Sequence, residues 1–146
     1  MSGSGNNPIR IRTLDHVVLR SDNIAPLLQF YVAVLGCTVE RELGPEFGLF
    51  QLRAGNSLID LVDVNGELGR MGGPAPGKMG HNLDHFCLEI DAIDEQILLD
   101  WLASNQVESS PFERRYGASG FGRSVYIQDP DGNTVELKLA ARSPAD

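Results

Sequence analysis

Four side chains in the sequence of 146 residues carry the chemistry of a divalent-metal site: His16, Asp60, His85 and Glu136. Two neutral imidazoles with two carboxylates suit a borderline ion such as Zn, Ni, Co, Mn or Fe(II), and such a set can leave positions open for water or substrate. Taken singly, a His or an acid in a strand usually faces water or is satisfied in a core. Repetition in register sets these four apart. Leu14-Asp15-His16-Val17-Val18-Leu19 recurs 69 residues later as Leu83-Asp84-His85-Phe86-Cys87-Leu88, and Ser57-Leu58-Ile59-Asp60-Leu61 matches Asn133-Thr134-Val135-Glu136-Leu137 at an offset of 76. Asp60 is the weakest of the four ligands, being one methylene shorter than Glu, and reaches the ion either directly or through water. His81 has no repeat partner and is read as a solvent-exposed residue of a glycine-rich loop.

The elements that would position these groups repeat as well. Asp22-Asn23-Ile24 and Asp91-Ala92-Ile93 each open a stretch of helical periodicity, striped by Leu27, Leu28, Tyr31, Val34 and Leu35 in one half and by Ile93, Ile97, Leu98, Trp101 and Leu102 in the other. Gly36 and Asn105 occupy the two helix ends, where a left-handed residue is wanted. Three strand-like runs follow each helix, at about 37–42, 48–53 and 57–63, then 107–110, 122–128 and 134–140. Asp129-Pro130-Asp131-Gly132-Asn133 predicts the last hairpin turn. The fold class is therefore α+β, two tandem βαβββ modules (about 9–63 and 83–140) within a single domain spanning 9–146, joined by a glycine- and proline-rich linker over 64–82. Alternation along a strand places His16 with Leu14, Val18 and Arg20, and His85 with Leu83, Cys87 and Glu89.

The change of offset inserts seven residues into the second half, within Pro111–Phe121. Arg114, Arg115 and Tyr116 lie there, in either a solvated loop or a lid that forms a substrate wall. Arg20, repeat-equivalent to Glu89, is either a structural charge or a clamp for an anionic substrate.

Composition narrows the partners. With a net charge of −8, the chain lacks the clustered cations that nucleic acid or an anionic membrane would need. Cys37 and Cys87 do not make a disulfide framework and read as ordinary buried thiols. Residues 1–8 read as a flexible lead-in, with no apolar signal segment and no membrane-spanning run anywhere in the chain. The expected location is cytoplasmic.

Leu14-Asp15-His16-Val17 with Phe30-Tyr31 and Leu35-Gly36, Leu83-Asp84-His85, and the run Ser124-Val125-Tyr126-Ile127-Gln128-Asp129-Pro130-Asp131-Gly132-Asn133-Thr134-Val135-Glu136-Leu137 together resemble the vicinal oxygen chelate superfamily. That superfamily includes glyoxalase I, fosfomycin-resistance thiol transferases, bleomycin-binding proteins, methylmalonyl-CoA epimerases and extradiol dioxygenases. The resemblance implies curved mixed sheets around a metal cleft, a homodimer, and a divalent metal held by His16, His85 and Glu136. Glyoxalase I-like members have a fourth ligand, usually Glu, where this chain has Asp60. The expected activity is that of a metal-dependent lyase or isomerase of the glyoxalase type, acting on a small substrate with vicinal oxygens, with Glu136 or Asp60 as the catalytic proton carrier. Fe(II)-dependent extradiol dioxygenation, a fosfomycin-type thiol transfer and bleomycin-type drug binding are the alternatives. Retention of His16, His85 and Glu136 together weighs against the last.

Overall fold

A computed structural model of the chain describes residues 10–77, 79–80 and 83–141. The lead-in over 1–8 and His81 lie outside the described residues. The first module runs β1 (His16–Ser21), α1 (Ile24–Gln29), β2 (Thr38–Leu43), β3 (Leu49–Ala54) and β4 (Ser57–Asp63). After a connection containing the single turn α2 (Glu67–Arg70), the second module runs β5 (Phe86–Ile90), α3 (Glu95–Ser104), β6 (Glu113–Gly117), β7 (Gly120–Gln128) and β8 (Thr134–Leu139). Each module makes one mixed four-stranded sheet, in the orders β1-β4-β3-β2 and β5-β8-β7-β6. In both, the first strand pairs parallel with the last, and antiparallel ladders complete the sheet. This is the tandem βαβββ architecture expected from the repeat, with the two sheets left unclosed.

Period-two patterning decides which face is covered. Leu19, Leu52, Ile59 and Leu61 of the first sheet, with Val125, Ile127, Val135 and Leu137 of the second, join Leu27, Phe30, Tyr31, Leu98 and Leu102 of the helical segments in one continuous core. The alternate residues form the opposite, open faces. Beyond α1 the helix widens into a π turn over Phe30–Val34, in which the Leu35 amide reaches back to the Phe30 carbonyl at 3.1 Å. Adjacent Phe30 and Tyr31 are consequently both buried, edge to face with ring centroids 5.1 Å apart.

Several expectations change in detail. Gly36 is left-handed as expected (φ 82°), but at the end of α3 the left-handed residue is Gln106 (φ 58°), with Asn105 one step before it as the cap. The second module's helix α3 starts at Glu95, four residues later than Asp91, and Asp94 caps it by accepting the Gln96 and Ile97 amides. The linker holds the turn α2. The strand expected at 107–110 is reduced to one bridge, Ser109 to Ile127. Pro111 follows it and has no N–H to extend a ladder, so the chain re-pairs from Glu113 onward. The seven inserted residues are thus no loop; they lengthen the β6–β7 hairpin, fastened by Phe121 against the rings and charges of Tyr116 (centroids 5.0 Å) and Arg114 (3.6 Å).

The two modules meet through their helical segments and the Asp129 turn. Tyr31 donates its hydroxyl proton to Asp129 Oδ2 at 2.8 Å, and Trp101 Nε1 donates to the Val34 carbonyl at 3.0 Å. Asp129 also accepts the Asp131 and Asn133 amides, each at 2.9 Å, so one buried carboxylate shapes the turn and docks it on the other module.

Candidate metal-binding half-sites

On the open face of the first sheet, Asp60 sits centrally in β4, in register with Val18 of β1 and Gln51 of β3. His16 lies diagonally across from it. Asp60 is 4% exposed; Gln51 Nε2 donates to its Oδ2 at 3.1 Å, and Arg41 in turn donates to Gln51 Oε1 at 2.6 Å. Asp60 Oδ1 is buried with no hydrogen-bond partner among the described residues. Buried polar atoms are rarely left so, and an acceptor-only oxygen beside an imidazole fits a cation. The His16 pKa is raised, chiefly by its hydrogen bond with Asp15, with Asp60 and the Asp15 charge adding to the effect against partial desolvation.

The second sheet repeats the arrangement. Glu136, 6% exposed, sits centrally in β8 between Cys87 and Tyr126 in register, and its Oε1 lies 3.3 Å from His85 Nε2. The Tyr126 ring stands edge-on to His85 at 5.3 Å.

Both imidazoles are oriented alike. Nδ1 of His16 lies 2.7 Å from Asp15 Oδ2, and Nδ1 of His85 lies 2.7 Å from Asp84 Oδ2. A carboxylate on Nδ1 fixes the tautomer that leaves the Nε2 lone pair for a metal and makes it more basic. Asp15 and Asp84 precede the strands, so alternation does not hold them on the far face. Their signal was in plain view, since the repeated tripeptide conserves the Asp along with the His.

Within one chain the four expected ligands form two pairs, His16 with Asp60 and His85 with Glu136. Among the described residues no three His, Cys, Asp or Glu side chains gather as a site. The two sheets are separate, so each open face keeps its own pair.

The remaining candidates divide by strand parity. Arg115, paired with Gly122, shares the Glu136 face: its guanidinium lies 4.2 Å from the Tyr126 ring centroid and donates to Ser124 O and Oγ at 2.8 and 2.9 Å. Arg114 and Tyr116 stand on the other side, against Phe121, so alternation keeps the three from lining one cleft. Arg20 donates to the carbonyls of Gly69, Gly73 and Pro74, tying the connection to the first sheet. Glu89 accepts from Ser119 at 2.7 Å rather than pairing with Arg20. Cys37 is buried as expected, but Cys87 is exposed, as its parity with His85 requires. Desolvation of its sulfur and the adjoining Glu136 push the Cys87 thiol up to about 11, so it stays protonated near neutrality.

The family model of the Glyoxalase/Bleomycin resistance protein/Dioxygenase superfamily matches residues 13–137, and the chain belongs to that superfamily. Virulence protein STM3117 of Salmonella typhimurium is 28% identical over 128 residues, 87% of this chain and 83% of that protein. Its crystal structure matches with a TM-score of 0.68 at 23% identity, covering 91% of this chain and 100% of that one. Lactoylglutathione lyase from Agrobacterium tumefaciens matches with a TM-score of 0.62 at 22% identity (88% and 93% covered), and the fosfomycin resistance protein FosX from Listeria monocytogenes with 0.64 at 16% (90% and 96% covered). With these two the likeness is one of fold. No helix among the described residues is long and apolar enough to cross a membrane.

Proposed function

We propose that this chain is a metal-dependent enzyme of the glyoxalase type, a lyase or isomerase acting on a small substrate with two neighbouring oxygens, and that two copies of the chain complete its site. The observation that carries the reading is the buried Asp60 Oδ1 beside His16, unpartnered among the described residues, mirrored by Glu136 beside His85. His16 and Asp60 from one open face, with His85 and Glu136 from another, would hold the ion, and a symmetric dimer would contain two such centres. When bound, the ion supplies Lewis-acid stabilisation of negative charge developing on the substrate oxygens. The chain's own groups do the rest: Asp15 and Asp84 fix the imidazole tautomers, Gln51 orients Asp60, Tyr126 flanks His85, and Glu136 or Asp60 moves a proton between substrate carbons or oxygens. The free thiols of Cys37 and Cys87 fit a reducing, cytoplasmic setting.

Elemental analysis and a turnover assay of the wild type and His85→Ala test the reading. The wild type should carry about one divalent ion per chain, the stoichiometry of a two-fold dimer with two centres, and His85→Ala should lose both metal and turnover. Full activity in metal-free protein would refute it.

A further inference from the structure

We propose that two segments, 69–74 over the first sheet and 117–120 over the second, wall off one end of each open face, and that Arg20 and Glu89 are the positioning residues that fix them. The walls decide what the metal centre admits: a substrate whose neighbouring oxygens carry no bulky group on the walled side. The inference rests on the metal reading for the chemistry of that substrate, and on separate contacts for the walls themselves. Arg20 and Glu89 are repeat-equivalent, and each stands one rung past a half-site acid, since Val18 pairs with Asp60 and Arg20 with Val62, Cys87 with Glu136 and Glu89 with Lys138. Both side chains therefore leave their strands on the open face, about 7 Å along the sheet from the acid.

Each grips a segment from elsewhere in the chain. The Arg20 guanidinium donates to the Gly69, Gly73 and Pro74 carbonyls, and a Cβ on Gly72 would collide with it. Glu89 accepts from Ser119 at 2.7 Å. Ser119 lies at the tip of the β6–β7 hairpin, so the tip has to cross β8 to reach β5. Lys138 of β8 fastens it on the way: its ammonium donates to the Gly120 carbonyl, and a Cβ on Gly117 would fall 2.9 Å from Nζ. Burial follows the walls. Leu49 with Val62, and Ser124 with Lys138, are the rungs beneath them, and all four residues are buried although they belong to the open faces. Val18 and Cys87, one rung back toward the histidines, are exposed, so each face stays open at that end. Two unrelated segments, the connection between modules and the lengthened hairpin, are thus brought to the same place from the same strand position.

Cys87 reports on the second wall without any metal, because it is exposed one rung from Glu89 while Cys37 is buried. Its alkylation in metal-free protein is timed with iodoacetamide and with bulky N-(1-pyrenyl)maleimide, and the ratio of the two rates cancels any change in thiolate fraction. Glu89→Ala should raise the bulky-to-small ratio about tenfold, the scale of steric discrimination in a pocket, whereas Glu89→Gln, which still accepts from Ser119, should stay near the wild type. Should Glu89→Ala not fold, Ser119→Ala carries the same comparison. A second arm measures binding of two hydroxamates to Co(II)-loaded protein. The wild type should bind acetohydroxamate about tenfold tighter than N-phenylbenzohydroxamate, which is substituted on both sides of its oxygens, and Arg20→Ala and Glu89→Ala should narrow that gap while keeping their metal. An unchanged alkylation ratio in the folded variant, or equal binding of the two hydroxamates by loaded wild type, overturns the proposal. A wild type whose ratio responds as expected but which takes up no Co(II) would bring down the metal reading and leave the walls standing.

Discussion

At the scale of single residues, the half-sites are defined by what each polar atom is bonded to. Asp84 touches His85 only through Nδ1, so Asp84→Asn removes a charge from behind the imidazole while leaving the metal-directed nitrogen in place. Loss of such a supporting partner lowers metal affinity about 10–100-fold, which competition with a chelating dye would measure; unchanged affinity would show that Asp84 does not orient the ligand. On His16, Asp15 and Asp60 favour the protonated ring and raise its pKa above 6.5. Protons and metal compete for the same imidazole, so occupancy should fall as pH drops through that raised value, earlier in an acid titration than an unperturbed histidine would give. A pH series of metal dissociation constants checks the sign. Residue types alone picked out the four candidate ligands, because His recurs in matched six-residue runs and the acid in matched five-residue runs. They did not reveal that Lys138 is buried, since a lone lysine alternating with Leu137 and Leu139 looks like any solvated strand position.

Among the elements, the β6–β7 hairpin carries the largest departure from expectation. Glu-Arg-Arg-Tyr-Gly after a proline reads as a loop, and the helix-period and strand-period signals are both weak there. Pairing is supplied by tertiary partners: Phe121 meets Tyr116 and Arg114 across the strands, and Arg115 reaches back to Ser124. Removing the shared ring in Phe121→Ala should destabilise the hairpin by about 0.5–1.5 kcal/mol, seen as faster amide exchange over residues 113–117 with the helices unaffected. Exchange unchanged in that segment would mean that the backbone ladder alone holds it. The helix caps illustrate the opposite case. Gly36 could be placed from its type, whereas the left-handed turn at Gln106 could not, because nothing in a glutamine advertises positive φ.

For the molecule as a whole, the repeat made the two-module architecture readable, but the way the modules pack was not. The Asp-Pro-Asp-Gly-Asn run predicts a turn; it does not say that Asp129 will accept a hydrogen bond from Tyr31 of the other module. With the shared core and the Trp101 bond to Val34, that contact ties the modules together, and burial together with Asp129 holds the Tyr31 phenol well above its ordinary pKa, firmly a donor. Tyr31→Phe leaves the ring packed and one carboxylate lone pair unmet, at a cost of about 1–3 kcal/mol, measurable by chemical denaturation; a change within error would show that the shared core alone joins the modules. The separation of His16 from His85 on different open faces has a genetic corollary. For the two-chain site proposed above, His16→Ala and His85→Ala subunits, each inactive alone, should regain activity when co-expressed, because a mixed pair concentrates both defects in one centre and leaves the other whole. Random assortment would return about a quarter of the native rate, from half the dimers each with one working centre; no recovery would mean that every centre draws its ligands from a single polypeptide.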